Sequence, residues 1–136
     1  PLYTPWEEVL EKSDVITLHS PLLPQTKNMI SLPEFKKMKK KPILINTARG
    51  GLVKEEDLVE AIEKGYISGA AFDVVTKEPI PDDHPFFKII KRPNFILTPH
   101  VSWASMEAMQ ILSNQLIDNI ENFVNGKPSN VVSGDF

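Results

Sequence analysis

Four short apolar runs punctuate this chain, and their setting narrows the fold more than any other feature. The runs are 14–19 (DVITLH), 42–48 (PILINTA), 67–75 (ISGAAFDVV) and 95–98 (FILT), with helix-forming segments before, between and after them. A strand with one wet face shows strict alternation of apolar and polar residues; near-continuous apolar strands alternating with helices predict a parallel sheet covered on both faces. The fold class expected is therefore α/β, a parallel sheet with flanking helices.

Local signals place the helix ends. Thr4-Pro5-Trp6-Glu7 reads as a capping box with proline at the first helical position, opening a short helix to about Lys12. Ser31-Leu32-Pro33-Glu34 repeats the device ahead of the FKKMKKK segment. A third helix is expected from about Lys54 to Lys64, stopped by Gly65. The last runs from about Ala104 to Asn125: Met109, Leu112, Leu116, Ile120 and Phe123 recur at three- and four-residue spacing on one face, and Gly126 ends it. An amphipathic helix of that length is expected to dock on something.

At 136 residues the chain is one domain or part of one. Lys+Arg 15 against Asp+Glu 18 leaves −3, too mild and too evenly mixed for a nucleic-acid footprint. The lysine run from Lys36 to Lys41 reads as a wet helix end. With no cysteine, disulfides, thiolate metal sites and cysteine nucleophiles are excluded together, and a reducing compartment fits. No window approaches the roughly 18 apolar residues of a membrane span, and PLYTPWEEVLEKSD lacks the basic-then-apolar plan of a secretion signal. A cytoplasmic protein with neither a nucleic-acid nor a membrane partner is expected.

Each apolar run changes character at its C-terminal end, giving His19-Ser20, Asn46-Thr47-Ala48-Arg49, Asp73 and Thr98-Pro99-His100. In an open parallel sheet ligands bind outside the carboxyl ends of the strands, so these side chains would line one edge. Any one of them alone reads as strand-end solvation or a cap; the four together mark a candidate site. His84, in PDDHP, invites a metal site through its two neighbouring aspartates, but a solvated loop is the expectation and no metal is assigned. His19 is expected to be structural or supporting.

The segments LHSPLLPQTKNMI, INTARGGLVKEEDLVEAI, GAAFDVVTKEP and ILTPHVSWAS follow one another in the order and spacing of the NAD(P)-dependent D-2-hydroxyacid dehydrogenases, which the chain resembles over about residues 5 to 125. The resemblance implies the later half of a Rossmann-type sheet: 1–103 as the C-terminal part of a dinucleotide-binding domain, and 104–136 as a long helix and tail leading back towards a substrate domain. It places Arg49, Glu78 and His100 on the family's substrate-binding arginine, glutamate and catalytic histidine. Ser20, Thr47, Ala48 and Asp73 fall on its cofactor-contacting positions, and Arg49 and His100 border the cofactor as well. The cofactor implied is NAD, with NADP as the alternative.

The chemistry asks for the same residue types. Reduction of a 2-oxoacid needs a cation for the carboxylate, and a guanidinium offers a bidentate fork that lysine lacks, which suits Arg49. It also needs a proton for the carbonyl oxygen; His100 can supply it near neutral pH, and a carboxylate at Glu78 favours the imidazolium. The VSWAS stretch after His100 looks most like the glycerate dehydrogenase and hydroxypyruvate reductase subgroup. A second reading from the same family is an NAD-sensing corepressor-like scaffold.

One element of a dinucleotide fold is not in this sequence. The six glycines, at 50, 51, 65, 69, 126 and 134, cannot form the G-x-G-x-x-G turn that holds a pyrophosphate, and the acidic ribose-binding residue that would follow it is lacking too. The chain therefore reads as the C-terminal half of such an enzyme, expected to bind NAD weakly and to turn over little or nothing alone. Its partners would be a small 2-oxoacid and, as is usual in the family, a second copy in a homodimer.

Overall fold

The computed structural model describes residues 3–132. The chain divides into two units, Pro1–His100 and Val101–Phe136. The first unit is an α/β sheet layer. Its elements are α1 (Trp6–Lys12), β1 (Val15–Leu18), α2 (Leu32–Lys37), β2 (Ile43–Asn46), α3 (Glu55–Lys64), β3 (Gly69–Phe72), a 3-10 turn η1 (Pro85–Lys88) and β4 (Phe95–Leu97). The strands lie in the order β1-β2-β3-β4, all parallel, with Leu18 opposite Asn46, Asn46 opposite Phe72, and Phe72 opposite Leu97. All four strands therefore end at one edge, and the four polar exits of the sequence emerge there.

Burial in β1 and β2 alternates, with Ile16, Leu18, Leu44 and Asn46 inward. Helices and η1 add Leu10, Phe35, Leu58, Ile62 and Phe86 to the same core. Phe86 meets Phe72 and Phe95 edge-on, at centroid distances of 5.4 and 5.1 Å, the geometry that ring quadrupoles favour. On the opposite face Val15, Ile43 and Ile96 are exposed. Cover on both faces was the expectation; the helices of this unit bury only one, which is why burial alternates in β1 and β2 although the runs are mostly apolar.

The helix ends differ from the sequence reading in one place. Ser31 and Glu34 cap α2 as expected, the Glu34 carboxylate accepting from the Ser31 backbone N–H at 3.0 Å and from its hydroxyl at 2.7 Å. The same pattern at Thr4 fails. Pro5 is the N-cap, in an extended conformation at ψ 142°, and α1 starts one residue later without a side-chain cap. Gly65 closes α3 in the left-handed region at φ 67°, where a side chain is disfavoured. The lysine run is wet, as expected, and also stitches α2 and the turn after it to α1 and the start of β1: Lys37, Lys39 and Lys40 pair with Glu7, Glu11 and Asp14 at 3.0, 3.0 and 3.3 Å. Exposed pairs of this kind contribute at most about 1 kcal/mol each.

The second unit is the helix α4 (Met106–Val124), capped by Ser105 Oγ accepting from the Ala108 N–H at 3.1 Å. Gly126 follows at φ 70°, and the tail folds back so that Asn119 Oδ1 accepts from Ser129 and Asn130. No α4 residue is buried; Leu112, Leu116, Ile120 and Phe123 form its exposed apolar stripe. No helix among the described residues is long and apolar enough to cross a membrane.

Candidate active site

The exit from β2 is organised by a side chain that the sequence reading placed among the strand exits without giving it a role of its own. Asn46 is 1% exposed; its Nδ2 donates to the Arg49 carbonyl at 2.9 Å and its Oδ1 accepts from the Ala48 N–H at 3.1 Å. One buried amide thus satisfies both backbone groups of the tight loop that presents Thr47, Ala48 and Arg49. The sequence signal was an asparagine closing an apolar strand. Asn46→Ala leaves both groups unpartnered, and a loss of about 1–3 kcal/mol in urea unfolding is the expected result.

Gly50 carries this loop onto the next one. A Cβ at this position would lie 2.1 Å from the carbonyl carbon and oxygen of Val75 and 2.5 Å from the Thr76 nitrogen. Only glycine allows so close a backbone approach. The Arg49 loop is thereby seated against the start of the arch that carries Glu78.

The exits of β3 and β4 converge on a pocket of about 600 Å³. Val75, Ile80, Leu97 and Pro99 give it apolar walls, with Asp73, Glu78 and His100 as its ionisable residues. Asp73 is 2% exposed, and the Thr98 hydroxyl donates to its Oδ1. That bond ties β3 to β4 at the pocket floor. His100 follows a sharp turn in which its N–H donates to the Thr98 carbonyl at 3.1 Å, and its own φ is 57°. A left-handed non-glycine residue costs about 1–3 kcal/mol and persists where surrounding structure holds it. Here the turn delivers the imidazole to Glu78: His100 Nδ1 lies 2.7 Å from Glu78 Oε2, and the Val75 N–H donates to Glu78 Oε1 at 3.2 Å.

The hydrogen bond from His100, aided by that from Val75, holds the Glu78 carboxyl below its ordinary value of 4.5, against partial desolvation and the nearby Asp73 charge. An ionised carboxylate can only accept, so the contact with Glu78 is made by the ring tautomer of His100 that has its proton on Nδ1. A carboxylate lowered in the folded state contributes stability that is present above its unfolded pKa and is lost as pH falls through the lowered folded value.

The expected site residues thus fall into two groups. Asp73, Glu78 and His100 share the pocket. Thr47, Ala48 and Arg49 stand at the end of β2 and Ser20 beyond β1, on the same edge but outside the pocket lining. With strands about 4.8 Å apart, Arg49 springs from a strand about 10 Å from that of His100, and Ser20 from one about 14 Å away. The Arg49 Nη1 donates to the Ala48 carbonyl at 2.7 Å. His19 is exposed, with Nε2 3.0 Å from Thr17 Oγ1. His84 departs from the solvated loop expected of it. It is 6% exposed and held by Glu55, because η1 folds its segment against α3. Among the described residues no group of three or more His, Asp or Glu side chains is placed to hold a metal ion.

Over residues 2–102 the sequence matches the family described as D-isomer specific 2-hydroxyacid dehydrogenase, NAD binding domain. It is 60% identical over 126 residues to a glycerate dehydrogenase of Methylorubrum extorquens, covering 93% of this chain and 40% of that protein. To a hydroxypyruvate reductase of Blautia hydrogenotrophica it is 41% identical over 131 residues, 96% of this chain and 40% of the other. Among solved structures, a D-lactate dehydrogenase with NAD+ from Lactobacillus jensenii superposes with a TM-score of 0.87 at 32% identity, covering 98% of this chain and 43% of that one. The chain spans about 40% of the length of these curated relatives. Sequence and fold agree: the chain belongs to the NAD-binding-domain family of the D-isomer-specific 2-hydroxyacid dehydrogenases.

Proposed function

We propose that this chain carries the proton-exchanging part of an NAD-dependent oxidoreductase that interconverts a small 2-oxoacid and its D-2-hydroxyacid, with hydroxypyruvate and glycerate as the first pair to test. The observation that carries the reading is the 2.7 Å contact of His100 Nδ1 with Glu78 Oε2 at an apolar pocket. His100 Nε2 gives a proton to the substrate's carbonyl oxygen in reduction and takes the hydroxyl proton in oxidation. Glu78 holds the ring in one tautomer and offsets the charge of the imidazolium. Arg49 meets the substrate carboxylate, where a planar fork matches two oxygens.

The residues present fit the nicotinamide end of the cofactor. The pocket volume lies within the range of small-molecule sites, its walls are apolar, and the nearly buried Asp73 offers an acceptor to a carboxamide. Ser20, Thr47 and Ala48, with Arg49 and His100, border the rest of the edge. When bound, NADH supplies the hydride. A homodimer in the cytoplasm completes the proposal.

The test is a graft: residues 5–125 replace the matching segment of the Methylorubrum enzyme. Oxidation of NADH with hydroxypyruvate is the expected result; NADH binding with no turnover of hydroxypyruvate, glyoxylate or pyruvate would sink it and favour the scaffold. The 136-residue chain by itself is expected to bind NADH more weakly than about 1 mM by fluorescence titration, because the groups that would grip the pyrophosphate are not in it.

A further inference from the structure

Glu55, the first residue of α3, reaches across the chain twice. Its Oε1 accepts from the Thr76 backbone N–H at 2.7 Å, and its Oε2 meets His84 Nε2 at 3.0 Å. Both side chains are withdrawn from water, 11% exposed for Glu55 and 4% for His84. The Phe86 N–H donates to His84 Nδ1 at 3.2 Å. That nitrogen therefore holds no proton; the ring proton sits on Nε2 and is given to Glu55.

Thr76 and His84 bracket the arch 76–84, and Glu78 lies inside it. One carboxylate thus ties both ends of the arch to the start of α3. The same point is pressed from the other side, where Gly50 seats the Arg49 loop on Val75 and Thr76. Neither bond serves α3 itself, and the site chemistry uses neither residue. What they fix is where the arch stands, and the Val75 N–H bond passes that placement to the Glu78 carboxyl.

We propose that Glu55, acting through Thr76 and His84, is a positioning residue for Glu78, setting the arch at the height from which Glu78 Oε2 reaches His100. The role rests on the acid-base pairing of His100 with Glu78 and deepens it.

The test follows the Glu78 carboxyl carbon by NMR through a pH titration of the 136-residue chain. The groups that face it are His100, the Val75 N–H and the Asp73 charge. In His100→Gln its titration midpoint is expected to rise towards the ordinary glutamate value. Glu55→Ala is expected to raise it too, although both members of the pair remain. Glu55→Gln, which keeps one acceptor oxygen, raises it less and serves as the decisive variant if Glu55→Ala does not fold. Melting temperatures are recorded alongside. A lowered melting temperature with the Glu78 midpoint unchanged in the folded Glu55 variants overturns the positioning role and leaves the pairing standing. If instead His100→Gln leaves the midpoint where it was, the pairing itself fails and the positioning role goes with it.

Discussion

Gly50→Ala destabilises the chain by about 3 kcal/mol or more in urea unfolding, the upper end of what overpacking costs. The new methyl would sit 2.1 Å from the Val75 carbonyl group and 2.5 Å from the Thr76 nitrogen. Those are main-chain atoms, so no rotamer change relieves the overlap. Either the Arg49 loop or the arch must move, and the arch is held at both ends by Glu55. Gly51→Ala is the control. Its φ of 81° penalises a side chain, which costs about 1–2 kcal/mol, but the nearest atoms are the flexible tip of Leu22 at 3.4 Å. Equal urea midpoints for the two variants would refute the backbone-contact argument.

His100→Ala in the grafted enzyme is expected to lower kcat/KM for hydroxypyruvate by about 10² to 10⁴, the usual contribution of a positioned acid-base group. Glu78→Gln should cost less, since it leaves Nε2 in place and removes only the partner that fixes the ring. The double variant should fall little further than His100→Ala alone, because groups that act as a unit are not additive. Losses that multiply would mean that the two side chains act separately. A full-speed His100→Ala enzyme would remove this histidine from the chemistry altogether.

What the sequence made legible was local or ordered along the string. The strand exits could be read because each polar group directly follows an apolar run, and the parallel order then puts them on one edge. Arg49, Glu78 and His100 were named from motif order, and the last two are in contact although 22 residues apart. The Ser31 and Glu34 cap could be read because both partners lie within one turn. The identical pattern at Thr4 was misleading because an extended Pro5 takes the cap position instead. Interactions spanning 21 to 29 residues leave no local trace: Glu55 with Thr76 and His84, and Thr98 with Asp73. Sequence reasoning therefore made His84 a wet loop residue and overlooked η1. That the helices of the first unit cover only one sheet face was equally hidden, since apolar content along a strand states what can be buried and not what is.

The edge where the four strands end has a bolted base and unbolted tips. Asn46 locks one exit, Thr98 pins the next two together, and Gly50 wedges the first against the second. The pocket's apolar walls, by contrast, include Ile80 and Pro99, neither of which makes those contacts. Exchanging those wall side chains can therefore reshape the cavity while His100 and Glu78 keep their 2.7 Å contact.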